Sequence, residues 1–115
     1  MVVRVAPTIG LVALLAAPAV ATEAWRWAER LETEKEQCDM LLQLCHQATV
    51  ALDNAELTPP SADVTASRNT AKADLRVEDA VSAARVFLRK NGGRRLPCFD
   101  DPDCEFLGAR LREKH

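Results

Sequence analysis

The side chains best equipped for chemistry in this sequence are its four cysteines. Cys38 and Cys45 lie seven residues apart in the segment GluGlnCysAspMetLeuLeuGlnLeuCysHisGln, and Cys98 and Cys104 lie in a Pro/Asp-rich tail. A thiol can act as a redox nucleophile, ligate a soft metal or oxidise to a disulfide. A redox dithiol calls for Cys-x-x-Cys at a helix start, and neither pair has that spacing. Cys45-His46 has the ending of a c-type haem site, but the residue three before Cys45 is Leu42 rather than a second cysteine. Cys38, Cys45, Cys98 and Cys104 with His46 form a possible zinc or copper(I) donor set, which is the alternative to disulfide formation.

The remaining polar groups point to less. Asp100, Asp101, Asp103 and Glu105 could attract Ca²⁺ by density, but the Gly and distal Glu of an EF-hand loop are missing. Their simpler role is a helix start: Asp101 as N-cap, Pro102 at the first helical position, acidic residues in the first turn. Ser61, Ser67 and Ser82 lack any elbow or triad context, and His46 has no partner base or nucleophile near it in sequence. Arg94-Arg95 after a Gly pair could serve as a processing site or a basic contact patch, but its simpler role is a solvated turn. No catalytic residue and no cofactor emerges. Trp25 and Trp27 are the candidate partner-binding residues. Two positions apart on a helix, they cannot both face one seam, and an exposed tryptophan marks a contact surface. The competing role for Trp25 is packing on Leu96 or Phe99.

The elements that position these residues follow from periodicity. The chain has 115 residues, enough for one small domain. Residues 1–21 have a basic start, an uncharged apolar run and Ala19-Val20-Ala21, the pattern of a secretory signal peptide cleaved after Ala21. Pro7, Gly10 and Pro18 interrupt the run, and it is short for a membrane span. A secreted or periplasmic location follows, where disulfides persist. The 94 residues from Thr22 to His115 carry fourteen basic and seventeen acidic side chains, net −3. That is neither a nucleic-acid nor a polybasic membrane signature. The expected partner is another exported protein, with no nucleic acid and no membrane span after cleavage.

Residues 22–54 read as one long helix, with Trp27, Leu31, Cys38, Leu41, Cys45, Ala48 and Leu52 on one seam and a polar gap near Glu34. A turn covers 55–63, with Thr58 or Ser61 as a cap for the following helix. A second helix covers 64–90, with Ala66, Thr70, Ala73, Val77, Ala80, Ala84 and Phe87 in register. Asn91-Gly92-Gly93 stops it. A tail covers 91–115, with a short helix after Pro102. The fold expected is all-α: a disulfide-stapled antiparallel helical hairpin with a short C-terminal tail helix.

Four cysteines allow three pairings. Seven residues of helix separate Cys38 from Cys45 by about 10 Å, beyond the roughly 7 Å limit for a disulfide. Each must therefore reach the tail. The chain leaves the second helix near residues 25–30 and meets Cys38 first, so Cys38–Cys98 with Cys45–Cys104 is preferred over the crossed pairing. The function expected is a small exported, non-enzymatic protein-interaction or assembly/inhibitor module. The alternative is a periplasmic metal-binding or thiol-redox protein.

Overall fold

The computed structural model describes residues 17–59 and 61–112, with side chains from Glu23 onward. The expected leader therefore lies largely outside the described residues, as do Pro60 of the turn and His115 of the tail. The fold is all-α, and no strand occurs among the described residues. Helix α1 spans Ala17–Arg30, α2 Glu34–Leu57, α3 Asp63–Lys90 and α4 Leu107–Arg112. Two short 3₁₀ turns, Pro97–Asp100 and Pro102–Cys104, precede α4.

In place of the single helix expected over 22–54, the chain breaks at Leu31–Thr33. The cause is local. Thr33 is the N-cap of α2, and its hydroxyl accepts from the Glu36 backbone N–H at 3.2 Å while Glu36 Oε1 accepts from the Thr33 N–H at 3.3 Å. This reciprocal capping box satisfies donors that a helix start leaves open, and Glu36 also takes the Glu32 N–H. The two backbone hydrogen bonds hold its carboxyl below the ordinary carboxylate range. The polar gap near Glu34 is thus a helix boundary, and it resets the phase of everything before it.

That reset explains Trp27. Counted through the break it falls on the seam, but α1 turns Ala24 and Ala28 inward instead, and Trp27 is 59% exposed. At 100° per residue, Trp25 and Trp27 flank the alanine stripe by about 80° on either side. Trp25 is 46% exposed, and Leu96 and Phe99 are buried. In α2 the buried line is Leu41, Cys45, Ala48 and Ala51, and Leu52, expected on the seam, is exposed because Ala51 takes the inward position.

Helices α2 and α3 pair antiparallel. Gln37 meets Asn91 at one end, and Thr58 meets Asn69 at the other. Thr58 closes α2 rather than capping α3: its hydroxyl donates to the Asn54 carbonyl at 2.7 Å, and Pro59 follows. The N-cap of α3 is Ala62, with no side-chain bond. At its far end Gly92 and Gly93 take φ of 68° and 86°, and the Gly93 N–H returns to the Leu88 carbonyl at 2.7 Å, a glycine-dependent stop.

The C-terminal half of α3 is buried on nearly every side, because three elements converge on it. Ala73, Val77, Ala80, Ala84 and Phe87 form the stripe expected to meet α2. A second stripe of Asp79, Ala83, Val86 and Lys90 carries α1, which runs beside it in the same direction. Lys90 Nζ donates to the Glu29 carbonyl at 2.6 Å, and Arg89 pairs with the Glu29 carboxylate. The third side takes the tail: Arg110 pairs with Glu78, and Arg85 donates to the Arg110 carbonyl. Alanines on both α1 and α3 let the backbones approach closely, which compensates for a core with few aromatics.

Candidate functional site

Cys38 is bonded to Cys98 and Cys45 to Cys104, with Cα–Cα distances of 5.5 and 5.1 Å. No free cysteine is present among the described residues. The tail is therefore clamped along α2, with Leu96, Cys98, Phe99, Cys104 and Leu107 buried beneath it. Disulfides of this kind persist in an oxidising, exported compartment. Among the described residues no helix is long and apolar enough to cross a membrane.

The three aspartates of the acidic knot are used in holding this clamp. Asp101 Oδ1 accepts from the Asp103 N–H at 2.9 Å and caps the second 3₁₀ turn, so the helix start read from the sequence is a 3₁₀ start. Asp100 pairs with Arg95 at 2.8 Å, and the Arg95 guanidinium lies 5.4 Å from the centre of the Phe99 ring. Asp103 pairs with His46 Nδ1 at 3.1 Å, and its carbonyl accepts from the Thr49 hydroxyl at 3.1 Å. His46 thus has a partner 57 residues away that no local motif could reveal. With all four sulfurs in disulfides, the zinc or copper(I) donor set is not assembled here. Among the described residues no group of three or more His, Cys, Asp or Glu is placed to hold a metal ion.

A second polar joint ties α1, α2 and α3 together. Gln37 is 2% exposed; its Nε2 donates to the Leu31 carbonyl at 3.0 Å and its Oε1 accepts from Asn91 Nδ2 at 2.8 Å. Asn91 also donates to the Phe87 carbonyl. The break after α1 is therefore anchored to the end of α3 by a buried amide whose hydrogen bonds are met. Around it, Arg94 pairs with Glu34 and Lys90 with Glu32 on the surface.

Two of the grooves among the described residues run along α2 and share Gln47. One, about 560 Å³, lies towards the α2–α3 turn and presents His46, Asn54, Asn69, Lys72 and Arg76. The other, about 530 Å³, lies between α1 and α2 and is walled by Ala24, Trp27, Leu31, Met40 and Leu44. Its charged lining is wholly acidic: Glu23, Glu36, Asp39 and Asp79. Asp79 is 3% exposed, and its Oδ1 is buried with no hydrogen-bond partner. Burial pushes its carboxyl above the ordinary range; Arg76 opposes this, while Glu23 and Glu78 push the same way.

Of the residues singled out from sequence, Trp27 lines this second groove, and the cysteines hold the opposite side of the frame. Asp79, Ala83 and Val86 went unseen. The stretch AlaValSerAlaAlaArgValPheLeu is apolar almost all round, which is the signature of a helix with more than one packed face. Among protein-family models, curated proteins and solved structures, the chain finds no match.

Proposed function

We propose that this chain is exported, loses residues 1–21 by cleavage after Ala21, and acts without catalysis of its own. In this reading it binds another exported protein, as an interaction, assembly or inhibitor module. The observation that carries the reading is the pair of tryptophans. Trp25 and Trp27 stand 46% and 59% exposed on either side of a buried alanine stripe, on a helix fixed in place by Gln37, Glu29 and the disulfide-clamped frame. Exposed tryptophan on a rigid element is a favoured anchor for a protein partner, because its large area is buried at low entropic cost.

The test is affinity capture from the exported fraction of the native cell. The oxidised chain is compared with a Trp25→Ala/Trp27→Ala variant whose helix content and thermal midpoint are first matched to it. The expected result is a discrete partner retained by the native chain and lost by the variant. A partner held equally by both, or no partner together with turnover by the purified protein, overturns the reading.

A further inference from the structure

We propose that the groove between α1 and α2 seats a lysine or arginine side chain, carried on an amphipathic segment of a protein partner, with Asp79 in its floor as the counter-ion. This deepens the interaction reading and rests on it.

A carboxylate removed from water needs a partner, because an orphaned one loses its hydration without compensation. Asp79 is 3% exposed, yet its Oδ1 meets no donor. Arg76, one turn earlier on α3, makes no hydrogen bond or ion pair with it and lines the neighbouring groove instead. Arg76 acts on it through its charge alone, and the lining of the groove supplies no cation. Every charged residue lining the α1–α2 groove is acidic. Two of those acids are engaged elsewhere: Asp39 with Lys35 at 2.8 Å, and Glu36 with the backbone of the capping box. Among the described residues, the other two lining acids, Asp79 with its enclosed Oδ1 and the exposed Glu23, have no such contact.

The shape selects the form in which the cation arrives. Trp27 and Leu31 form an apolar wall on one side, and Met40 and Leu44 form the other. A volume of about 530 Å³ takes a long side chain together with an apolar neighbour. A methylene stem lies against such walls while its charged head reaches the carboxylate. Leucine-type residues on adjacent turns of the same segment then cover Trp27 and Met40, the helix-in-groove mode of recognition. The acidic lining rejects a segment carrying Asp or Glu at those positions, so charge decides the partner as much as shape.

The experiment titrates the oxidised chain with a short leucine/lysine amphipathic peptide and with the same peptide carrying norleucine for lysine. Trp27 fluorescence in a Trp25→Phe background gives a local readout. Three chains are compared: native, Asp79→Asn, and Glu105→Gln, the last removing one negative charge from the distant tail. The lysine peptide is expected to bind the native and Glu105→Gln chains alike and the Asp79→Asn chain about tenfold more weakly. The norleucine peptide should bind all three weakly. Equal losses in Asp79→Asn and Glu105→Gln, a norleucine peptide that binds as well as the lysine one, or butylammonium binding as tightly as the peptide each overturn the proposal.

The wider reading fails separately. A natural partner that needs Trp25 and Trp27 but ignores Asp79→Asn sinks this inference and leaves the interaction reading standing. Asp79-dependent peptide binding with no natural partner captured does the reverse.

Discussion

Removing the Cys45–Cys104 bridge should cost about 3 kcal/mol, although its loop is as long as that of its neighbour. Taken alone, each bridge closes a loop of about sixty residues, with sequence separations of 60 and 59, and the loop-entropy relation gives about 4 kcal/mol for one such closure. The two loops are not independent. Once Cys38–Cys98 is closed, the unfolded chain already holds Cys45 and Cys104 near each other. The second bridge then closes a ring of only about 14 residues, running from Cys38 to Cys45 and from Cys98 to Cys104, worth about 3 kcal/mol. The two bridges together contribute about 7 kcal/mol, which matches the whole net stability of many small domains.

The assay is urea unfolding of three paired alanine variants: Cys45→Ala/Cys104→Ala, Cys38→Ala/Cys98→Ala, and all four together. Alanine avoids placing a hydroxyl where Cys45 and Cys104 are fully enclosed. With an m value near 1 kcal/mol per M, each pair should shift the midpoint by about 2 to 3 M. Removing all four should cost about 1 kcal/mol more than the two losses added, leaving a largely unfolded chain. A single-pair loss below about 1 kcal/mol, or one pair that accounts for the whole effect, would refute the shared-loop reasoning.

Three further outcomes follow. Thr33→Ala removes the N-cap of α2 and should cost about 1 kcal/mol, read as a lower thermal midpoint with α2 fraying from its start; an unchanged midpoint contradicts the boundary role of the capping box. Phe87→Ala empties the largest fully buried side chain and should cost about 3 to 5 kcal/mol in urea unfolding, where a cost under 1 kcal/mol contradicts a rigid three-sided core around α3. Asp79 should make the chain more stable in mild acid. Its folded pKa is raised above the unfolded value near 3.8, so the folded state binds the extra proton, and stability falls as pH rises from there through the folded pKa. Glu23 on α1, Glu36 and Asp39 along the groove, and Arg76 and Glu78 on α3 are the charges around it. Asp79→Asn should lose that segment of the slope, so its stability relative to the native chain rises across the window; a difference constant with pH defeats the assignment.

The all-α class, the α2–α3 hairpin, the glycine stop after α3 and the reach of the tail were all legible in the sequence, because each rests on short-range physics. Apolar spacing near 3.6 makes a helix, Asn-Gly-Gly ends one, and seven helical residues hold two thiols too far apart to bond each other. The Thr-x-x-Glu signature at 33–36 was equally local, but the long apolar period running through it masked it. Trp27 was misplaced for that reason alone: a heptad register cannot be counted across a helix break. Asp79, the Gln37–Asn91 joint and the His46–Asp103 pair belong to a different kind of fact. Each needs a partner element brought from tens of residues away, and no pattern on one helix says which of its faces a second or third neighbour will cover. The sequence by itself determined which segments are helical and where the staples could go. The tertiary structure decided that α1 folds back as a separate helix along α3, with small residues on both sides permitting the contact. That packing is what buries a carboxylate beside a groove with apolar walls and an acidic lining.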